Sequence, residues 1–92
     1  MEYTQVLERR VAIVTGAGRG MGRAVAQRLA AAGTRLVVND LDPVAAERTV
    51  DGIRKNNGEA LATPGDVTSK QDVQRIVSTA LERYNGVHIL VN

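Results

Sequence analysis

The chain has 92 residues, 12 of them basic and 10 acidic for a net charge of +2; 43% are hydrophobic and 2% aromatic, and cysteine is absent. That length supports at most one small domain; its core must be aliphatic, because Phe and Trp are missing, and disulfide frameworks and thiolate metal sites are excluded. Interspersed charges and only two aromatics, Tyr3 and Tyr84, set nucleic-acid binding aside, while the lack of a secretory-type start or a membrane-length apolar run leads us to expect a soluble, cytoplasmic protein.

Residues 1–10 read as a polar lead-in, with Arg9 and Arg10 at the solvated start of a strand. Val11-Ala12-Ile13-Val14 is too short and too β-branched for a helix and reads as a buried strand. It opens into Thr15-Gly16-Ala17-Gly18-Arg19-Gly20-Met21-Gly22, with glycine at four alternate positions. Glycine there allows a tight turn, a close approach of ligand to backbone, and close packing of a helix on a strand. The helix expected over 23–32 places the turn at a helix N-terminus. Unpaired N–H groups and the positive end of the helix dipole make such a turn a cradle for a diphosphate.

Met21, Val25, Leu29 and Ala32 recur at helical spacing as the expected inner face of that helix, and Gly33 is its stop. A second strand, 36–38, ends at Asn39-Asp40. Asp42 caps the next helix with Pro43 at its first position; Ala46, Val50 and Ile53 face inward, and Asn57-Gly58 closes it. A third strand is expected over 59–63, before Pro64-Gly65. Thr68 or Ser69 caps a third helix whose Val73, Ile76, Val77, Ala80 and Leu81 fit the amphipathic template, and Asn85-Gly86 stops it. The fourth strand is expected over 87–91.

Strands alternating with helices predict an α/β fold: a doubly wound parallel sheet of the Rossmann type, in β-α-β-α-β-α-β order, with strand order 3-2-1-4. The turn, Asp40, Asp66 and Asn92 all follow strand ends, so they should converge on the edge of the sheet where ligands of such folds bind. Asp40 lies 24 residues after Gly16, near the spacing of an acid that accepts from an adenosine ribose. That acid would repel a 2'-phosphate, which favours NAD over NADP. Arg19 pulls the other way, since it could reach such a phosphate; a solvated surface arginine is the simpler account.

The spacing excludes the P-loop, whose lysine is missing, and the plain G-x-G-x-x-G pattern, which would need glycine at Met21 or Arg23. T-G-x-x-x-G-x-G fits, filled by Thr15, Gly16, Gly20 and Gly22, and resembles the cofactor turn of the short-chain dehydrogenase/reductase family, in particular its 3-oxoacyl-acyl-carrier-protein reductase-like members. The resemblance implies that Gly18, Arg19 and Met21 within the turn also border a nicotinamide dinucleotide, that Asp66-Val67 contacts the adenine, and that Asn92 begins the family's N-N-A-G segment along the cofactor. It covers essentially the whole chain but only the first part of the family's length, so 1–92 reads as a truncated dinucleotide-binding domain. Family catalysis needs a Ser and a Tyr-x-x-x-Lys. Tyr3 is followed four positions on by Leu7 and Tyr84 by His88, and the two serines, Ser69 and Ser78, lie in or beside the third helix.

Two functions follow as expectations. One is the N-terminal NAD(H)-binding segment of a reductase or dehydrogenase that moves hydride between nicotinamide and a carbonyl or secondary alcohol, without turnover of its own. The other is a non-catalytic nucleotide-binding or interaction module ending at Asn92. The resemblance implies a homo-oligomer for the full-length form, and strand 4 would form an apolar sheet edge, so self-association through it is the other expectation.

Overall fold

A computed structural model describes residues 7–92, and the lead-in 1–6 lies outside the described residues. Four parallel strands, β1 (Val11–Val14), β2 (Arg35–Val38), β3 (Glu59–Ala62) and β4 (Ile89–Val91), form one sheet in the order β3-β2-β1-β4. They are joined by helices α1 (Gly20–Ala31), α2 (Pro43–Lys55) and α3 (Lys70–Tyr84). In-register pairs such as Val11 with Arg35, Leu36 with Ala60 and Ala12 with Ile89 set the ladder. The strand order and the doubly wound topology are those the sequence pattern predicts.

Alternation along the strands sorts the core into two layers. Ala12, Val14, Leu36, Val38 and Ala60 meet Ala26 and Ala30 of α1 and Ala46, Val50 and Ile53 of α2. On the other face Val11, Ile13 and Val37 meet Ile76, Ala80 and Tyr84 of α3. The chain moves outward from β1 to β3 and then returns past β1 to β4. Crossovers keep one hand, so reversing direction puts α3 on the opposite face from α1 and α2. Between β1 and β4 that reversal opens the crevice where ligands of doubly wound sheets bind.

Local chemistry accounts for the helix ends. Asp42 caps α2, accepting from the Val44 and Ala45 N–H groups, with Pro43 following it; Ser69, rather than Thr68, caps α3 through the Asp72 N–H. At the C-termini the left-handed residues are Asn57 (φ 67°) and Asn85 (φ 65°), not the glycines after them; asparagine's short polar side chain tolerates that region. Gly33 (φ 92°) does close α1.

Several expectations are corrected. Helix α1 starts at Gly20, three residues before the expected start, so the glycine turn supplies its first turn. Its inner face is the Ala26–Ala30 row; Met21 is 83% exposed, because the four-residue spacing of Met21, Val25 and Leu29 runs one position out of phase with the row that touches the sheet. In α3, Val73, Val77 and Leu81 are 39%, 38% and 51% exposed, so only half of the apolar stripe is covered. Strand β2 begins one residue early, at Arg35, and β3 ends one residue early, at Ala62. Strand β4 starts at Ile89 instead of Val87: the His88 N–H still donates to the Val11 carbonyl at 2.9 Å, but the Val11 N–H donates to the His88 Nδ1, also at 2.9 Å, so the backbone ladder goes no further.

Candidate functional site: the glycine turn and its frame

The turn after β1 is shaped by close backbone packing. A Cβ on Gly22 would sit 2.4 Å from the Gly16 carbonyl oxygen, so the start of α1 lies directly against the turn and only glycine fits. Gly16 itself has a φ of 60°, a left-handed conformation that other residues resist. Among the three helices described, α1 alone has no side-chain cap: Arg19 stands at its N-cap position without capping, whereas Asp42 and Ser69 serve α2 and α3. The first N–H groups of α1 therefore have no partner from a capping side chain, and the helix dipole adds positive character at the same place.

The rest of the turn is tied to neighbouring elements. The Thr15 N–H donates to the Val91 carbonyl at 2.9 Å and the Ala17 N–H to the Asn39 carbonyl at 2.8 Å, linking the turn to the ends of β4 and β2. The Thr15 hydroxyl lies 3.1 Å from the Asn92 Oδ1. The Gly18 N–H donates to the Asp40 Oδ2 at 2.9 Å, while the Asp40 Oδ1 accepts the Asp42 N–H at 2.9 Å. Asp40 is thus held at a fixed angle beside the turn, half-buried, on the spot its sequence spacing suggests.

Arg19 lies on the surface, its side chain 71% exposed. Its guanidinium donates to the Asp42 carboxylate at 2.8 Å, in an exposed ion pair. A hollow beside it, walled by Gly18, Arg23, Ala45 and Arg48, has a volume of about 260 Å³. Asp66 is exposed, and its Oδ1 accepts from both the Thr68 N–H and the Thr68 hydroxyl. These bonds, the hydroxyl first, hold its carboxyl below the ordinary carboxylate range. The Gly65 N–H donates to the Asp40 carbonyl at 3.1 Å, which brings the loop after β3 alongside. Thr15, Gly16, Gly18, Arg19, Gly20, Met21, Gly22, Asp40 and Asn92 therefore surround one sheet edge, with Asp66 and Val67 on the adjoining loop.

Two buried polar residues that sequence reasoning missed complete the frame. The Asn39 amide donates to the carbonyls of Thr63 and Gly65, at 3.0 and 3.1 Å, and so fixes the loop after β3 to the end of β2. The Thr49 hydroxyl, on α2, donates to the Ala17 carbonyl at 2.9 Å. Each carries a signal: a polar side chain that directly extends a buried apolar strand, or one that sits inside an otherwise apolar helix face.

A larger hollow adjoins this edge and shares Thr15, Val67 and Asn92 with it. A groove of about 450 Å³ runs between α3 and β4, lined by Ile13, Val73, Val77 and Leu90, with Thr15 and Asn92 at one end. It is the uncovered half of the α3 stripe. Among the described residues no group of three or more His, Cys, Asp or Glu could hold a metal ion, and no helix is long and apolar enough to cross a membrane.

This geometry agrees with comparison to known proteins. The chain is 40% identical over 86 residues to the 7alpha-hydroxysteroid dehydrogenase of Escherichia coli (strain K12), covering 94% of this chain and 34% of that protein. It is 40% identical to a 3-oxoacyl-[acyl-carrier-protein] reductase of Synechocystis, with 94% and 35% covered. Among solved structures, a hydroxysteroid dehydrogenase from Escherichia coli superposes with a TM-score of 0.91 at 40% identity, over 94% of this chain and 37% of that one. A short chain dehydrogenase/reductase from Burkholderia phymatum in complex with NAD superposes with a TM-score of 0.89 at 40% identity, over 91% and 30%. The chain spans about a third of the length of the curated relatives it matches. The family described as short chain dehydrogenase matches residues 10–92, and with the glycine turn, the 3-2-1-4 sheet and these relatives this chain belongs to that family.

Proposed function

We propose that this chain is the NAD(H)-binding segment of an oxidoreductase that moves hydride between nicotinamide and a carbonyl or secondary alcohol. One observation carries the choice of cofactor: the Asp40 carboxylate is held by the Gly18 N–H beside the uncapped start of α1. The residues fit the group. Gly16 to Gly22 bring backbone N–H groups and a helix dipole to a diphosphate, with glycine at four of the seven positions. Asp40 accepts from ribose hydroxyls and repels a 2'-phosphate. The Arg19 guanidinium, the nearest counterweight, is engaged by Asp42.

Asp66 and Val67 border the adenine, and Thr15 and Asn92 line the cofactor beyond the sheet edge. Met21, exposed at the mouth of the turn, covers its outer side. When bound, the nicotinamide supplies the hydride chemistry. The chain's own residues bind and orient. None of its tyrosines or serines stands in a Tyr-x-x-x-Lys or partners one, so the segment binds without turnover by itself. The protein works in the cytoplasm and forms homo-oligomers or self-associates through the β4 edge, where an apolar groove adjoins a strand that, among the described residues, is paired on one side only.

Titrating NADH and NADPH by fluorescence against the wild type and Asp40→Ala tests the cofactor. NADH should bind more tightly to the wild type, and Asp40→Ala should lose that preference. An unchanged preference removes Asp40 from the ribose role, and no binding of either dinucleotide overturns the function.

A further inference from the structure

Thr49 is out of place by composition. It is fully buried on the inner face of α2, where the other buried residues, Ala45, Ala46, Val50 and Ile53, are apolar. A threonine inside a helix usually turns its hydroxyl back to the carbonyl four residues earlier. This hydroxyl instead reaches across 32 positions of sequence to the Ala17 carbonyl, in the middle of the glycine turn.

The acceptor explains what the bond does. Ala17 C=O and Gly18 N–H belong to one rigid peptide plane. Thr49 holds the carbonyl edge of that plane at 2.9 Å, and Asp40 holds the N–H edge, also at 2.9 Å. A single peptide unit is therefore clamped from two elements, α2 on one side and the end of β2 on the other. Releasing the carbonyl frees the plane to rotate, and its N–H then turns away from Asp40. Gly18, whose φ turns with that plane, offers little resistance, because glycine has wide conformational freedom.

We infer that Thr49 is a positioning residue for the dinucleotide site: it sets the Ala17–Gly18 peptide plane and, through it, the direction of the Asp40 carboxylate. This deepens the NAD(H)-binding reading and rests on it for the identity of the ligand. Thr49 does not need to touch the cofactor.

Three variants test this in the same chain. Thr49→Val keeps the shape and removes the hydroxyl; loss of one net hydrogen bond corresponds to about ten-fold weaker NADH binding. Thr49→Ser removes the methyl group and keeps the hydroxyl; it should rescue NADH affinity to within about two-fold, since the bond to Ala17 persists. In Asp40→Ala/Thr49→Val the two losses should fall well short of adding, because both residues act on one peptide. Amide NMR reads the turn without any ligand: the Gly18 N–H signal should move in Thr49→Val and stay near wild type in Thr49→Ser.

Wild-type NADH affinity and an unmoved Gly18 amide in Thr49→Val overturn the inference and leave the function standing. Equal losses in Thr49→Val and Thr49→Ser, or strict additivity with Asp40→Ala, also overturn it, because these indicate a packing effect alone. A wild type that binds no dinucleotide defeats the functional reading instead, and the Gly18 amide still decides whether Thr49 sets the turn.

Discussion

Gly18 and Asp40 are in contact twice over: the Gly18 N–H donates to the Asp40 Oδ2, and a Cβ placed on Gly18 would lie 2.8 Å from that same oxygen. It would also lie 2.6 Å from the Ala45 Cβ. Gly18→Ala therefore pushes the carboxylate out of the one place where it meets both the turn and the Asp42 N–H. We expect a loss of about 1–3 kcal/mol in stability, the usual cost of overpacking, together with at least ten-fold weaker NADH binding. Gly52→Ala is the control. It lies inside α2, where the added Cβ meets only the Gln27 Nε2 at 4.0 Å, so it should stabilise by roughly 0.5–1 kcal/mol and leave binding intact. Calorimetric melting and NADH titration of the pair check this. Unaltered binding by Gly18→Ala would mean that the turn does not hold the cofactor through Asp40.

Much of this arrangement is legible in the sequence because it rests on local rules. Glycine spacing, the Asp42-Pro43 start of α2 and the alternation of strands and helices each have one physical reading, and right-handed crossovers together with a dinucleotide-type turn favour the 3-2-1-4 order. The failures occur where identity and contact part company. Periodicity marks Val73, Val77 and Leu81 as apolar in common with Ile76 and Ala80, but it cannot say that β1 and β2 cover only the latter two. Met21 fits an apolar spacing and yet faces solvent, because packing of Gly22 against Gly16 fixes the rotation of α1. Asn39 and Thr49 escaped notice for another reason. Their partners are carbonyls distant in sequence, and a polar residue does not announce its acceptor.

Thr63 is the counterpart of Thr49. Both are buried threonines, but the Thr63 hydroxyl has no hydrogen-bond partner among the described residues. Burying an unpaired hydroxyl is unfavourable, and valine has nearly the same shape. Thr63→Val should stabilise the fold by about 1 kcal/mol, which for a domain this small raises Tm by roughly 4–8 °C. The same change at Thr49 should destabilise, because there it strands the Ala17 carbonyl. Thermal melts of the two variants, read together, decide the matter; destabilisation by Thr63→Val would show that its hydroxyl has a partner.

Asp66 supplies a pH dependence with a definite sign. Its carboxyl is held below the ordinary value, first by the Thr68 hydroxyl and then by the Thr68 N–H. A carboxylate lowered in the folded state adds stability above its unfolded pKa, and this is lost as pH falls through the folded value. Thr68→Val removes the first cause and keeps the second. The Asp66 carboxyl should then titrate at a higher pH, still below an unperturbed aspartate, and stability should begin to fall at a higher pH on acidification. Carbon-13 NMR of the Asp66 carboxyl checks the titration directly. A titration that does not move would assign the shift to the backbone bond alone.

The uncovered side of the sheet makes the last prediction. Among the described residues strand β4 pairs with β1 and with no strand beyond it, and Leu90 at its centre is 63% exposed. Val73 and Val77 of α3 continue the same apolar surface around the groove. An unpaired apolar edge beside an apolar groove favours joining to another copy, both by strand pairing and by burial. Sedimentation of the wild type should show its average mass rising with concentration through the micromolar range. Leu90→Lys places a charge on that edge without removing a buried contact, so the melt should change by less than about 0.5 kcal/mol, as surface substitutions generally do. Association should weaken at least ten-fold. Because β4 also borders Thr15 and Asn92, NADH affinity reports whether the edge and the cofactor site are independent, and Leu90→Lys should leave that affinity unchanged. A wild type that stays monomeric at all concentrations would remove self-association, and a fall in NADH affinity would tie the exposed edge to the dinucleotide site.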